Sequence, residues 1–417
     1  MPEKIYGLLG RKLGHSWSVP IHAAAGNKAY RLIELEPEEL PAFLAQPDIG
    51  GLNVTIPYKR DVMPLCDVID PHAQSIGSVN TLVRRQDGKL YAWNTDISGF
   101  LYMARRAGVE LRGRNVVILG SGGTSLTAQA AARVCGAQKV TVVSRHGADN
   151  YKNLDRHADA EIVVNTTPVG MYPRTGEAAV DLVRFPACRG VLDVVYNPRR
   201  TALLLQAEAR GLPCSDGLPM LVFQATAAEE FFFDRKIDPV ENPRILALLR
   251  REMENIVLIG MPGCGKSTVG AALAALTRRE AVDLDVEIVK AAGKSIPDIF
   301  AQDGEPAFRE LERKAAAKFS RESKKILICG GGIVKNLQNY EFLHQNGRIY
   351  QLARDLEKLP TDGRPLSQGV DLAVMAAERA PLYQRFRDAL IDNNGTPANT
   401  ADAIWRDFCA DFDFERT

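Results

Sequence analysis

The chain has 417 residues, 46% hydrophobic and 25% charged, an ordinary globular composition and too much chain for one core. Its formal net charge of +1 gives bulk electrostatics no reason to favour a nucleic acid or a membrane surface as partner. Seven cysteines are scattered without a CxxC pair, which argues against a disulfide framework or a zinc site. No apolar run approaches the roughly 18 residues of a membrane span. The start, MPEKIYGLLG, lacks a basic-then-apolar leader, so a cytoplasmic protein is expected.

In chain order, four polar clusters come first: GHSWSVPIH, GLNVTIPYK, GSVNT and WNTDISGF. They supply Ser16, Ser18, Asn53, Thr55, Lys59, Asn80, Thr95 and Asp96. Many neutral donors and acceptors with one cation suit a polyhydroxylated acid. A lysine beside an aspartate can also protonate the alkoxide left when a ketone takes up hydride. His15 and His22 read as loop or capping hydrogen-bond partners rather than as a base.

Next come short β-branched runs, NVVILG, KVTVVSR, EIVVNTT and GVLDVVY, alternating with Ala-rich stretches. This alternation predicts a parallel sheet covered by helices. The first run ends at Gly120 and enters a loop with Gly122, where the backbone can approach a pyrophosphate at a helix N-terminus. Ser125 stands where a third glycine of GxGxxG would fall. Ser144 and Arg145 occupy the tip of the next strand, and a guanidinium there suits a ribose 2′-phosphate, favouring NADP over NAD. NTTPVGM forms another strand-to-loop bend that could lie under a nicotinamide.

Near Glu254–Asn255 the chain passes from a charged helix to a buried strand without a spacer, so two units held close together are expected. NIVLIGMPGCGKST is GxxxxGK[ST] between a strand and a helix. Its backbone N–H groups from Gly263 to Lys266 would wrap phosphates, Lys266 would bridge the β and γ groups, and Ser267 would hold Mg²⁺. Cys264 inside the loop reads as a small tolerated residue. Asp283 and Asp285 alternate at strand spacing, which places both on one face of a strand end. Arg309 and Glu312 stand three apart on a helix, so the guanidinium can be fixed to grip a carboxylate. CGGGIV turns after a strand, and Arg364 and Arg379 add two cations.

In order, GHSWS, NVTIPYK, GSVNT, NTD, GSGG, NTTPVGM, DVVYNP and GLPMLVFQA resemble the shikimate dehydrogenases over nearly all of residues 1–250. The resemblance implies Lys59 and Asp96 as the catalytic pair. Its substrate contacts would be Ser16, Ser18, Thr55, Lys59, Asn80, Asp96, Tyr196 and Gln224. Its NADP contacts would be Gly120, Ser121, Gly122, Gly123, Thr124, Ser144, Arg145, Thr166, Gly217 and Met220. The implied reaction is NADPH-dependent reduction of 3-dehydroshikimate to shikimate. Two departures are Val19 directly after the second serine and Ser144-Arg145-His146 in place of Asn-Arg-Thr.

GMPGCGKST, DxD, IF…GE…FRxLE, GGG, RPL and RAPLY resemble shikimate kinases over about residues 255–417. The resemblance implies shikimate contacts at Asp285, Arg309, Gly331, Gly332 and Arg379, with Asp285 as base and Phe300 and Phe308 walling the ring. ATP would meet Gly263, Cys264, Gly265, Lys266, Ser267, Thr268 and Arg364, with Lys266 and Arg364 stabilising the transferred group. Mg²⁺ would meet Ser267 and Asp283. The segment before Arg364 reads shorter than the family's lid, leaving Arg354 or Lys358 to stand in for an earlier arginine.

The fold class implied is α/β. A shikimate dehydrogenase substrate domain at 1–100, completed by about 220–252, is followed by a Rossmann-type NADP domain at 101–219. A P-loop, nucleoside-monophosphate-kinase-like domain then spans 255–417. Residues from Met220 onward should return to the substrate domain, with Gln224 facing the cleft. A second reading is a quinate or shikimate dehydrogenase whose kinase-like part is weak or regulatory, a metabolite sensor. Such a sensor should lack Lys59, Asp96, Lys266, Asp285 and Arg309, all of which are present.

Overall fold

The computed structural model describes residues 4–14, 16–359 and 372–410; His15 and Arg364 lie outside them. The chain divides into two compact units. The first comprises Met1–Met171, Glu177–Tyr196 and Leu203–Leu246, and the second Tyr172–Gly176, Asn197–Ala202 and Ala247–Thr417.

The first unit holds two sheets. One is built from β1 (Ile5–Gly10), β2 (Tyr30–Glu34), β3 (Ile49–Val54), β4 (Val68–Ile69), β5 (Thr81–Arg84) and β6 (Leu90–Trp93), in the order β2-β1-β3-β5-β6-β4. β1, β2 and β3 run parallel, whereas β5 pairs antiparallel with both β3 and β6. The β5–β6 hairpin turns through Asp87-Gly88, with Gly88 at φ +80° and Asp87 accepting from the Lys89 amide at 3.0 Å. An Asp-Gly pair is a recognised hairpin signal.

The other sheet is fully parallel: β7 (Asn115–Leu119), β8 (Lys139–Val143), β9 (Ile162–Asn165), β10 (Gly190–Asp193) and β11 (Cys214–Ser215), in the order β11-β10-β9-β7-β8. All four residues of both β9 and β10 are buried, as befits strands covered on both faces. β8 and β9 flank β7 on opposite sides, so the chain reverses direction across the sheet at the carboxyl end of β7. That is where an open α/β sheet forms its crevice, and Gly120 sits there.

The helix Leu218–Phe233 closes this unit by packing on β3, β5 and the helices Ser18–Ala24 and Asp96–Arg106. Val222, Ala225 and Ala228 on it are buried. Gly99 makes its approach possible, since a Cβ there would stand 2.6 Å from the Met220 carbonyl oxygen and 3.1 Å from Gln224 Cβ.

The second unit has one parallel sheet: β12 (Asn255–Ile259), β13 (Glu280–Asp283), β14 (Lys325–Ile328), β15 (Gly347–Ala353) and β16 (Ala389–Asp392), in the order β13-β14-β12-β15-β16. β12 is buried throughout, and Gly260 follows it into the glycine loop and the helix Lys266–Thr277. The strand reading of the DxD pair is corrected here. β13 ends at Asp283, and Asp285 lies in the first turn of the helix Leu284–Ala292. The Asp283 carboxylate accepts the Asp285 amide at 3.1 Å. An aspartate that can cap a helix in this way competes with strand continuation.

Gly99→Ala should destabilise the first unit by about 1–3 kcal/mol, the range for overpacking, visible as a fall of several degrees in its thermal transition. An unchanged transition would mean that the two helices can part without cost.

Candidate functional site

In the first unit, Asp96 is the first residue of the helix Asp96–Arg106. An Asx turn sets its entry, with the Asp96 amide donating to Asn94 Oδ1 at 3.0 Å. Its carboxylate is shared: Lys59 Nζ lies 2.6 Å from Oδ2, and Asn80 Nδ2 donates to Oδ1 at 2.9 Å. Asn80 in turn accepts the Thr95 amide at 2.7 Å and the Thr81 hydroxyl at 3.0 Å, and its Nδ2 reaches Gln224 Oε1 at 3.3 Å. Four of the expected substrate residues, Lys59, Asn80, Asp96 and Gln224, therefore converge. The Lys59 and Asp96 side chains keep 23% and 10% of their surface, enough to meet a ligand.

Ser16 and Ser18 lie after β1, with the Ser18 amide donating to Ser16 Oγ at 3.2 Å, and Thr55 follows β3. Among the described residues no hydrogen bond ties these three to the quartet. His22 belongs neither to a loop nor to a cap. It is fully buried, pairs with Glu229, and stacks on Tyr30 with ring centroids 3.6 Å apart. Burial pushes its imidazole below the ordinary value, even beside Glu229. Nothing within the polar cluster GHSWSVPIH announces a partner 207 residues away.

At the β7 crevice Gly120 has φ +102°, and a Cβ there would lie 2.9 Å from Thr166 Oγ1. Thr166 is anchored to Leu119 O at 2.6 Å. Gly122 caps the twelve-residue helix Gly123–Val134, and a Cβ at Gly122 or Gly123 would meet nothing within 4 Å. Open space before a free helix N-terminus fits a dinucleotide's pyrophosphate. Ser121 is exposed and Thr124 lies in the first turn of the helix, while Ser125, at the missing third glycine, is buried. Ser144 and the exposed Arg145 follow β8. The Gly217 amide donates to Val195 O at 3.0 Å, and a Cβ on Gly217 would collide with Val194 O. Met220 is buried, and burial raises the Tyr196 phenol pKa.

In the second unit a cleft of about 1180 Å³ brings together Gly263, Gly265, Lys266, Ser267, Thr268, Asp283, Asp285, Arg309, Gly331, Gly332 and Arg379. Gly263 and Gly265 hold φ +86° and +94°, the left-handed backbone that lets successive N–H groups face inward. Lys266 Nζ donates to the Gly260 and Met261 carbonyls at 2.9 and 3.0 Å. Cys264 is buried, with Sγ 4.0 Å from that ammonium. Ser267 Oγ donates to Asp283 Oδ2 at 3.0 Å. The described residues hold no cluster of three or more His, Cys, Asp or Glu for a metal. A hydroxyl and one carboxylate suffice for Mg²⁺, which keeps waters and takes phosphate oxygens.

Asp285 Oδ1 is buried and has no hydrogen-bond partner among the described residues. Burial, then the neighbouring Asp283, raises its carboxyl above the usual range. A Cβ on Gly330 would come within 2.7 Å of that oxygen. Arg309 donates from Nη1 to Glu312 at 2.8 Å and from Nε and Nη2 to Glu305 at 3.1 and 2.9 Å. Among the described residues, one hydrogen on each terminal nitrogen is left for a carboxylate. A Cβ on Gly332 would overlap the same guanidinium, so a larger residue there would push Arg309 aside. Arg379 Nη1 and the Tyr383 hydroxyl both donate to Gly331 O, at 3.0 and 2.6 Å. Burial drives the Glu312 carboxyl up to about 7, although Arg309 pulls it down. Phe300 and Phe308 line the cleft with ring centroids 4.8 Å apart. Asn393, absent from the sequence reading, donates to Cys264 O at 2.5 Å and braces the phosphate loop. The Asn-Asn-Gly run after β16 was the only cue to it.

Comparison with known proteins identifies both halves of the chain by family. Residues 8–82 match the family model of the shikimate dehydrogenase substrate binding domain, and residues 262–408 match that of shikimate kinase. A shikimate dehydrogenase (NADP(+)) of Clostridium perfringens is 36% identical over 260 residues, spanning 56% of this chain and 94% of its own. The crystal structure of a chorismate mutase/shikimate 5-dehydrogenase fusion protein from Clostridium acetobutylicum is 36% identical with a TM-score of 0.57, covering 60% of this chain and 97% of that one. Shikimate 5-dehydrogenase from Thermus thermophilus, solved with NADP(H) and shikimate, is 29% identical with a TM-score of 0.53, covering 58% and 97%.

Proposed function

The chain belongs to the shikimate dehydrogenase family and carries a shikimate kinase domain behind it, and from that premise we propose how its residues divide the work. It is a bifunctional enzyme of the shikimate pathway that uses NADP and ATP. No helix among the described residues is long and apolar enough to cross a membrane.

When bound, NADPH supplies hydride to 3-dehydroshikimate, and ATP with Mg²⁺ supplies a phosphoryl group to shikimate. Lys59 gives its proton to the alkoxide oxygen that forms as the ketone is reduced, and Asp96 holds the ammonium in place for it. Asn80 keeps the Asp96 carboxylate turned to Lys59, and Gln224, Ser16, Ser18 and Thr55 offer hydrogen bonds to the substrate's hydroxyls and carboxylate. Gly120 to Thr124, Ser144 and Arg145 would hold the dinucleotide.

In the second unit, Asp285 takes the proton from the acceptor hydroxyl. Arg309 and Arg379 hold the substrate carboxylate beside the Gly331–Gly332 turn. Lys266 leaves its loop carbonyls for phosphate oxygens, and Ser267 with Asp283 would steady Mg²⁺. One observation carries this assignment: Asp285, whose Oδ1 is buried without a partner among the described residues, lines the same cleft as Lys266 and Ser267. A buried acceptor left unmet costs about 1–3 kcal/mol, and a substrate hydroxyl offsets that cost. A sensor without catalysis has no use for such an atom beside a complete phosphate loop.

Two substitutions separate the activities. Lys59→Ala should lower NADPH oxidation by about 10²–10⁴-fold while leaving phosphorylation of supplied shikimate intact. Lys266→Ala should do the reverse, with a loss of about 10²-fold or more in the kinase rate. Paired spectrophotometric and coupled ADP-release assays read both, and a substitution that silenced both activities would contradict the division.

The kinase should also carry an acid limb. Asp285 and Glu312 both have raised pKa values and both act as carboxylates, so kcat/KM for shikimate should fall as pH drops through about 7, the value for Glu312. Glu312→Gln removes that titration, and the limb should retreat to lower pH. An unmoved limb would exclude Glu312 from it.

A further inference from the structure

Arg354 directly follows β15, at the same sheet end as the phosphate loop. Its Nε is buried without a hydrogen-bond partner among the described residues, and no described carboxylate pairs with it. It lines the cleft together with Gly263, Gly265 and Lys266. A Cβ placed on Gly265 would lie 3.5 Å from Arg354 Nη1, so the guanidinium rests beside the loop backbone. Asn393 braces this arrangement from both sides, its amide donating to Ala353 O at 2.7 Å and its side chain to Cys264 O at 2.5 Å.

Lys358 lines the cleft too, but its ammonium is engaged by Asp355 at 2.8 Å and Asn394 at 3.3 Å. Of the two cations before the lid, Arg354 alone is left without an anion among the described residues. A guanidinium in that state, next to N–H groups gathered for an anion, is matched to phosphate in charge and in planar geometry.

We infer that Arg354 is a direct phosphate ligand of the bound nucleotide. It grips the α- and β-phosphates beside Gly265, whereas Lys266 serves the β and γ groups. This assignment rests on the kinase reading of the second unit. Arg354 strengthens nucleotide binding in ground and transition states alike, so its loss raises KM for ATP more than it lowers kcat.

The test titrates the full-length chain with MgADP by calorimetry and follows both activities, for wild type, Arg354→Ala and Arg354→Lys. Arg354→Ala should weaken MgADP by about 10–100-fold, as expected for a charged hydrogen bond, and raise KM for ATP in parallel. Its kcat should stay within about threefold of wild type and its KM for shikimate within about twofold. NADPH oxidation should be unchanged. Arg354→Lys, which keeps the charge and loses the fork, should recover part of the affinity.

MgADP binding by Arg354→Ala within twofold of wild type would overturn the assignment, as would a fall in kcat at constant KM for ATP. Joint loss of ADP and shikimate affinity that lysine does not restore would mark a packing role and overturn it as well. A wild-type chain that bound no MgADP would instead sink the kinase reading beneath it.

Discussion

The Asp96 carboxylate is divided between two donors, Lys59 on one oxygen and Asn80 on the other, and much of the first unit is arranged around that division. A partly buried carboxylate is tolerable only when its lone pairs are met. Meeting them fixes Asn80 through Thr95 and Thr81, and β5, which carries Thr81, joins β3 and β6. It also requires the helix Leu218–Phe233 to bring Gln224 within 3.3 Å of the same amide. Gly99 leaves room for that approach. Sheet pairing, helix packing and one glycine thus serve the placement of the Lys59–Asp96 pair.

The second unit solves the opposite problem. There a carboxylate oxygen of Asp285 is left unmet among the described residues, while Arg309 is held by Glu305 and Glu312 before any ligand arrives. Holding the cation in advance lowers the entropy lost on binding. An unmet Asp285 oxygen suits the role of base proposed for it. The glycine turn between them is shaped by the same residues, because side chains at Gly330 and Gly332 would strike Asp285 and Arg309.

Local signals in the sequence carry over into the structure. The strands that run into Gly120 and Gly260, the phosphate loop and the Arg309–Glu312 spacing all depend on neighbours within a few residues, and the structure has each of them. The DxD pair shows where local reading stops. Alternation alone suggested a strand, but the Asp283 side chain reached the Asp285 amide and began a helix. The Asp87-Gly88 hairpin is a local signal of the same kind. His22 with Glu229, Asn80 with Gln224, and Asn393 with Cys264 lie between 129 and 207 residues apart. Such pairings follow from the fold and leave no mark in either segment. Arg354 is similar, since the lack of a partner for its Nε among the described residues is a property of what surrounds it.

The central claim is that one chain carries out both steps on one carbocyclic acid. A single reaction of purified protein with 3-dehydroshikimate, NADPH and MgATP, followed by phosphorus NMR and absorbance, tests it most directly. The account predicts one NADPH oxidised and one ATP consumed for each shikimate 3-phosphate formed. Oxidation of NADPH with no phosphorylated product, under conditions where added shikimate is also left unphosphorylated, would contradict it.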